Sequence, residues 1–229
     1  MKRLGRPLQA LGLAVALACA ALLGPARAPA QIRDRLDEVE IADVLEIVVL
    51  GREVLAIDAR GGGQRSEPLE LGETVLSTGA RGRVGVVVTD RRLLAVASGS
   101  AAWQETRWRR TETPSEDVRI GARIAVASTS TRALGFDGRS GNLVERGLGP
   151  RERVQRSAAG DNVAVVLTDR RALGVSAYAG GFFEVDLRLG EAIEELSALA
   201  NLATLRTSQR ILIFRGQWGS WEERTLDVR

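Results

Sequence analysis

Beyond residue 30 the sequence contains no cysteine, histidine, lysine or methionine, and every basic side chain in that stretch is arginine. Without Cys or His there is no thiolate nucleophile, no imidazole base and no Cys/His zinc or copper centre. Without Lys there is no Schiff base, and without Cys no disulfide, so stability has to come from a packed core. Aromatic residues make up only 4% of the chain and Tyr178 is its single tyrosine. The acid/base groups that remain are carboxylates and one phenol. No cofactor and no metal is implied, and no catalytic residue is assigned.

The first thirty residues are of another kind. Lys2, Arg3 and Arg6 precede an almost uninterrupted apolar run from Leu8 to Leu23, followed by Gly24-Pro25 and the small-residue pattern Ala28-Pro29-Ala30. That is the layout of a secretory signal peptide cut before Gln31. Residues 1–30 are therefore expected to be a signal peptide and residues 31–229 one exported domain, periplasmic or secreted, with no transmembrane segment after cleavage. Cys19 follows Ala16-Leu17-Ala18, without the aliphatic residue three places earlier that a lipid-attachment cysteine has, and reads as a small apolar residue of the signal.

Removing the signal changes the electrostatics. Lys2, Arg3, Arg6 and Arg27 account for four of the 32 basic residues, which leaves 28 against 29 acidic ones and a net charge of about −1. No basic excess survives to neutralise phosphates, so a nucleic-acid partner is not expected.

What the remaining 199 residues do contain is a repeat with a period of 39 to 40. Val88-Thr89-Asp90-Arg91-Arg92-Leu93-Leu94 aligns with Ser128-Thr129-Ser130-Thr131-Arg132-Ala133-Leu134, with Leu167-Thr168-Asp169-Arg170-Arg171-Ala172-Leu173 and with Arg206-Thr207-Ser208-Gln209-Arg210-Ile211-Leu212. A degenerate copy, Val49-Leu50-Gly51-Arg52-Glu53-Val54-Leu55, comes first. Five places after the Thr column stands Leu in all five copies: Leu55, Leu94, Leu134, Leu173 and Leu212. Sixteen places after it stand Glu105, Glu145, Glu184 and Glu223, and nineteen after it Leu69, Trp108, Leu148, Leu187 and Leu226.

Each unit reads as β-structure. An apolar, β-branched run such as Val84-Gly85-Val86-Val87-Val88 is too short for a helix; the Thr-Asp-Arg turn follows, then a second apolar run such as Leu93-Leu94-Ala95-Val96-Ala97. A Gly-rich interruption leads to an alternating strand such as Phe182-Phe183-Glu184-Val185-Asp186-Leu187, one face of which is expected in water. A weaker fourth strand is expected ahead of each hydrophobic run, near Val39, Val75, Val118, Val154 and Ile193. Residues Glu191 to Ala200 have some helical character, but their place in the repeat predicts a strand.

Five units of four strands resemble the blades of β-propeller proteins, without a Trp-Asp or kelch-type signature that would match a subfamily. The resemblance implies an all-β fold, a five-bladed propeller of four-stranded antiparallel blades, with central strands buried on both faces.

Two sets of residues are singled out. Arg92, Arg132, Arg171 and Arg210 stand 13 residues before Glu105, Glu145, Glu184 and Glu223, a spacing that places them on neighbouring strands as register-keeping pairs. Trp103, Phe182 and Trp221 share one repeat position, with Leu143 as the apolar substitute; with Trp218 they are the candidate ligand-binding aromatics, and core packing between blades is the competing role. The function expected is that of an exported, non-catalytic binding or scaffold protein of a bacterial cell envelope that recognises a protein or glycan through propeller loops. The alternative is a carboxylate-dependent glycoside hydrolase, with Asp37, Asp161 and Glu194 as possible inner-strand acids; it requires two carboxyl groups facing each other across a cleft.

Overall fold

The computed structural model describes residues 43–61, 63–114 and 117–226, and every regular element among them is a β-strand. The expected signal peptide, the Gln31 terminus and the strand near Val39 lie outside these residues. Blade 1 consists of β1 (Leu45–Leu50), β2 (Glu53–Asp58) and β3 (Gln64–Pro68). Blade 2 consists of β4 (Val75–Arg81), β5 (Val84–Thr89), β6 (Arg92–Ala97) and β7 (Gln104–Arg107). Blade 3 consists of β8 (Arg119–Ile120), β9 (Ile124–Ser128), β10 (Arg132–Asp137) and β11 (Asn142–Gly147). Blade 4 consists of β12 (Val154–Ala159), β13 (Val163–Thr168), β14 (Arg171–Ser176) and β15 (Phe182–Asp186). Blade 5 consists of β16 (Ile193–Ala198), β17 (Leu202–Thr207), β18 (Arg210–Arg215) and β19 (Ser220–Thr225). Each blade is an antiparallel meander, and the stretch with helical character is strand β16, as its repeat position demands. The chain is a five-bladed β-propeller.

The two middle strands of an inner blade are buried on both faces: every residue of β5, β6, β9, β10 and β13 is buried. Alternation explains how this builds the joints. In blade 4, Ala164, Val166, Leu173 and Val175 face blade 3, while Val163, Val165, Leu167 and Ala172 face blade 5. Four of the five Leu column residues, Leu94, Leu134, Leu173 and Leu212, thus lie on the face each blade turns to its predecessor.

Close approach is set by small residues at fixed repeat positions. A Cβ on Gly174 would lie 2.7 Å from the Phe214 ring of blade 5, and one on Gly121 or Gly160 would lie 1.7 Å from a carbonyl oxygen of the next blade. That approach allows a backbone rung between successive blades: Arg83 N–H to Ala122 O at 2.8 Å, Arg123 N–H to Asp161 O at 2.7 Å, and Asn162 N–H to Ala200 O at 2.8 Å.

The end blades break these rules on their outward faces. Where Gly121 and Gly160 stand in blades 3 and 4, blade 5 has Leu199; where Ala56, Ala95, Gly135 and Gly174 stand, it has Ile213. Blade 1 has Glu46 where the others have Gly85, Ala125, Ala164 and Ala203. The apolar clusters join blades 1–2, 2–3, 3–4 and 4–5, and among the described residues none joins 5 to 1.

The two faces of blade 5 are therefore expected to differ in energetic weight. Leu212→Ala, in the joint with blade 4, should cost about 2–5 kcal/mol, whereas Ile213→Ala on the outward face should cost less than about 1.5 kcal/mol. Urea denaturation of the two variants measures this; equal losses would mean that the outward face is packed as tightly as the joint.

Candidate functional site

Two rims flank the blades, and they are built differently. One rim carries the turns between the second and third strands together with the linkers between blades. Here the hydroxyl of Thr89 accepts the N–H groups of Arg91 (3.1 Å) and Arg92 (2.9 Å), which closes the β5–β6 turn, and donates to Glu73 Oε1 at 2.7 Å. The Arg92 guanidinium meets the same carboxylate through Nε (2.9 Å) and Nη2 (3.2 Å), donates Nη2 to Pro68 O of blade 1 at 2.6 Å and Nη1 to Glu105 at 2.6 Å. One planar cation thus ties its own outer strand, its own linker and the preceding blade.

The arrangement recurs three times. Arg132 binds Glu112, Glu145 and Arg107 O; Arg171 binds Glu152, Glu184 and Gly147 O; Arg210 binds Glu191, Glu223 and Asp186 O. The Arg and Glu columns spaced by 13 residues meet in all four copies. The second carboxylate, Glu73, Glu112, Glu152 or Glu191, escaped sequence reasoning although it is the more deeply buried of the two. Its signal was present: a Glu stands sixteen residues before the Thr in three copies, and seventeen before it in blade 3, where one extra residue shifts it out of register.

Burial pushes these inner carboxyls upward, but hydrogen bonds from arginine, from a backbone N–H and from threonine outweigh it. Glu191 is held down to about 2 against an ordinary 4.5, chiefly by Arg210, the Arg188 N–H and Thr207. Glu73, Glu112 and Glu152 move the same way for the same reasons. These groups are ionised anchors, chemically unsuited to donate a proton near neutrality.

The other rim carries the turns between the first and second and between the third and fourth strands. A chain of side chains links its first-turn residues: Arg123 Nη1 donates to Asn162 Oδ1 (3.3 Å), Asn162 Nδ2 to Asn201 Oδ1 (2.7 Å), and Tyr178 Oη to the same Asn201 oxygen (3.2 Å). Arg139 lies over the Tyr178 ring, 4.9 Å from its centroid. Trp218, in the β18–β19 turn, is 66% exposed.

The four candidate aromatics are not gathered into one surface. Trp103 is half-buried in the joint of blades 1 and 2 and donates Nε1–H to Arg65 O at 3.2 Å. Trp221 spans blades 4 and 5, donating to Phe183 O at 2.9 Å with its ring 5.1 Å from that of Phe214. Phe182 packs in the joint of blades 3 and 4. Trp218 alone of the four projects on a rim turn. Of the possible inner acids, Asp161 is paired with Arg81 at 3.1 Å and Glu194 with Arg206 at 3.0 Å, while Asp37 lies outside the described residues. Among the described residues no three His, Cys, Asp or Glu side chains converge as metal ligands, and no helix is long and apolar enough to cross a membrane.

No family model and no curated protein matches the sequence. Among solved structures, the fold is similar to Prp20p from Saccharomyces cerevisiae, with 8% identity over 75% of this chain and 55% of that one and a TM-score of 0.42. It is also similar to human WBSCR16, with 10% identity over 80% of this chain and 64% of that one and a TM-score of 0.41. A third is apo AztD from Citrobacter koseri, with 12% identity over 80% of this chain and 60% of that one and a TM-score of 0.40. The chain spans between 55% and 64% of the length of these structures, and the likeness is one of fold alone.

The ion-pair rim makes two measurable demands. Arg171→Ala leaves the buried carboxylate of Glu152 without its cation and is expected to cost about 3–5 kcal/mol in urea denaturation. Because the folded state holds Glu191 down to about 2, its stabilisation is complete above pH of about 4.5 and is lost as pH falls towards about 2, and the lowered Glu73, Glu112 and Glu152 act in the same direction. The urea midpoint should drop through that window, and Glu191→Gln should lessen the drop; a midpoint flat from pH 5 to 2 would contradict the assignment.

Proposed function

We propose that residues 31–229 form an exported, non-catalytic binding protein of a bacterial-type cell envelope, which holds a protein or a glycan through the rim of third-to-fourth-strand turns. The observation that carries this reading is the exposure of Trp218 on the β18–β19 turn, which the Ser176 hydroxyl of blade 4 anchors by donating to Gly216 O at 2.6 Å. Tyr178, its ring stacked with Arg139, stands on the corresponding turn of the neighbouring blade. Exposed aromatic faces stack on sugar rings and anchor protein interfaces, and a guanidinium beside them adds a planar donor. The turns are held in place: Gly219 N–H donates to Arg215 O at 3.0 Å, and Tyr178 N–H to Ser176 Oγ at 3.0 Å. Side chains fixed before contact lose little entropy on binding. The signal-like first thirty residues and the absence of cysteine chemistry beyond them support an exported chain whose stability is independent of redox state.

Two measurements test the reading. Fractionation of bacteria expressing the full chain should place the product outside the cytoplasm with Gln31 at its N-terminus; a full-length cytoplasmic product would refute export. The purified chain, immobilised and exposed to separated protein and glycan fractions of the envelope, should retain a component. The double variant Trp218→Ala/Tyr178→Ala should lose it by about ten-fold or more with an unchanged urea midpoint. Undiminished retention by that variant, or release of product from glycoside substrates, would count against it.

A further inference from the structure

The ion-pair rim contains one place where its own pattern is broken. In blade 3 the inner strand β8 has two residues, whereas β4 has seven and β12 and β16 have six. Pro114 bridges to Thr129 as Val75, Val154 and Ile193 do to the threonines of their own blades, but among the described residues pairing resumes only at Arg119 opposite Val126. Beside this gap, between blade 3 and the inner strand of blade 4, lies a cavity of about 570 Å³. That volume falls within the range of small-molecule sites, roughly 300 to 1,000 Å³.

The cavity wall is cationic. Arg151, Arg153 and Arg156 line it, and among the described residues their guanidinium groups have no carboxylate or carbonyl partner. Among the described residues its two acids are engaged elsewhere: Glu152 with Arg171 and Thr168, and Asp117 with Arg119 at 2.8 Å. Thr113 and Ser128 add hydroxyl groups to the lining, while the Thr129 hydroxyl is committed to its own turn and to Glu112. All three arginines are exposed, and like charges gathered around one cavity favour an anion that joins them.

Arg151 adds a second, independent sign. It is the one non-glycine residue at positive φ (63°) among the described residues, in the turn Gly149-Pro150-Arg151-Glu152. The equivalent turns of blades 2 and 5 have Gly72 (φ 76°) and Gly190 (φ 74°) there. An arginine adopts that conformation only at an energetic cost, sustained when the surroundings over-determine the backbone. They do so here: Glu152 N–H bonds Gly149 O at 3.0 Å, Gly149 N–H bonds Glu152 Oε2 at 2.6 Å, and Arg170 holds Pro150 O at 3.0 Å. Where the repeat offers glycine, the chain carries a strained cation facing a cavity.

We infer that this cavity binds a small ligand bearing two or more oxyanion groups, phosphate or carboxylate, held by Arg151, Arg153 and Arg156. A guanidinium fork engages two oxygens at once, whether of a planar carboxylate or of a tetrahedral phosphate. The site is on the opposite rim from Trp218 and stands or falls separately from the reading above.

Isothermal titration of the purified chain with pyrophosphate and with citrate tests it, the stronger binder distinguishing phosphate from carboxylate as the natural group. At least one probe is expected to bind one to one, more weakly as salt is added. Arg151→Gly should weaken binding by about ten-fold or more while raising the urea midpoint, because glycine relaxes the turn. Arg153→Gln/Arg156→Gln should weaken it similarly with the midpoint unchanged. No binding of either probe at millimolar concentration, or parental affinity in Arg151→Gly, would overturn the inference.

Discussion

The guanidinium at the start of the third strand in blades 2 to 5 is the interaction on which the rest of this structure depends. Its five N–H donors lie in one plane, which lets a single side chain serve three partners at once: the glutamate of the outer strand, the buried glutamate of the linker and a carbonyl of the preceding blade. The ammonium group of a lysine, a compact point charge on a flexible stem, has no such fork, and the chain beyond residue 30 contains no lysine. Removing any one partner exposes the others: Glu73 has a side chain entirely out of solvent, and its charge is tolerable only because Arg92, Thr89 and the Glu70 N–H all donate to it. The turn, the linker and the inter-blade joint are therefore one cooperative unit, repeated four times.

The repeat is also where the sequence was most legible. The Leu column, the Arg column and the outer Glu column recur at strict spacing because each solves the same packing problem in every blade, so alignment recovered the blade count, the strand order and the pairing of Arg with Glu thirteen residues on. The linker glutamates were hidden by the one-residue insertion in blade 3, which moves Glu112 out of column. The aromatics at the fourteenth position illustrate the complementary difficulty: Trp103 and Trp221 hydrogen-bond across the joints of blades 1–2 and 4–5, so a shared repeat position told of packing, whereas Trp218, the exposed one, belongs to no column.

The outward faces of the end blades show the same logic applied in reverse. Blade 1 has Leu50 and Glu53 at the Thr and Arg positions, on the face where the other blades reach back to a predecessor. At blade 5, Ile213 fills a place that is glycine or alanine in the four blades before it, and Leu199 one that is glycine in blades 3 and 4, where a Cβ would meet the next blade's backbone. Blades 1 and 5 thus differ from the rest at the residues that make a joint, and elsewhere keep the columns. Their outward faces combine half-buried aliphatics with charge, Arg215 and Arg224 converging on Glu222 across blade 5, a surface compatible with water that the inner joints never display.

A repeat protein spends most of its charged residues on itself, and that is what makes its exceptions informative. Arg92, Arg132, Arg171 and Arg210 each neutralise a buried glutamate, whereas Arg151 has no such partner among the described residues and holds a backbone conformation that blades 2 and 5 assign to Gly72 and Gly190. Evolution of a ring of similar units conserves what every unit needs for stacking, so a ligand site has to be built from residues that one unit has and the others lack. The two rims meet that condition in different chemistry: solitary aromatics on one, and on the other a broken inner strand opening a cationic cavity beside the only strained arginine among the described residues.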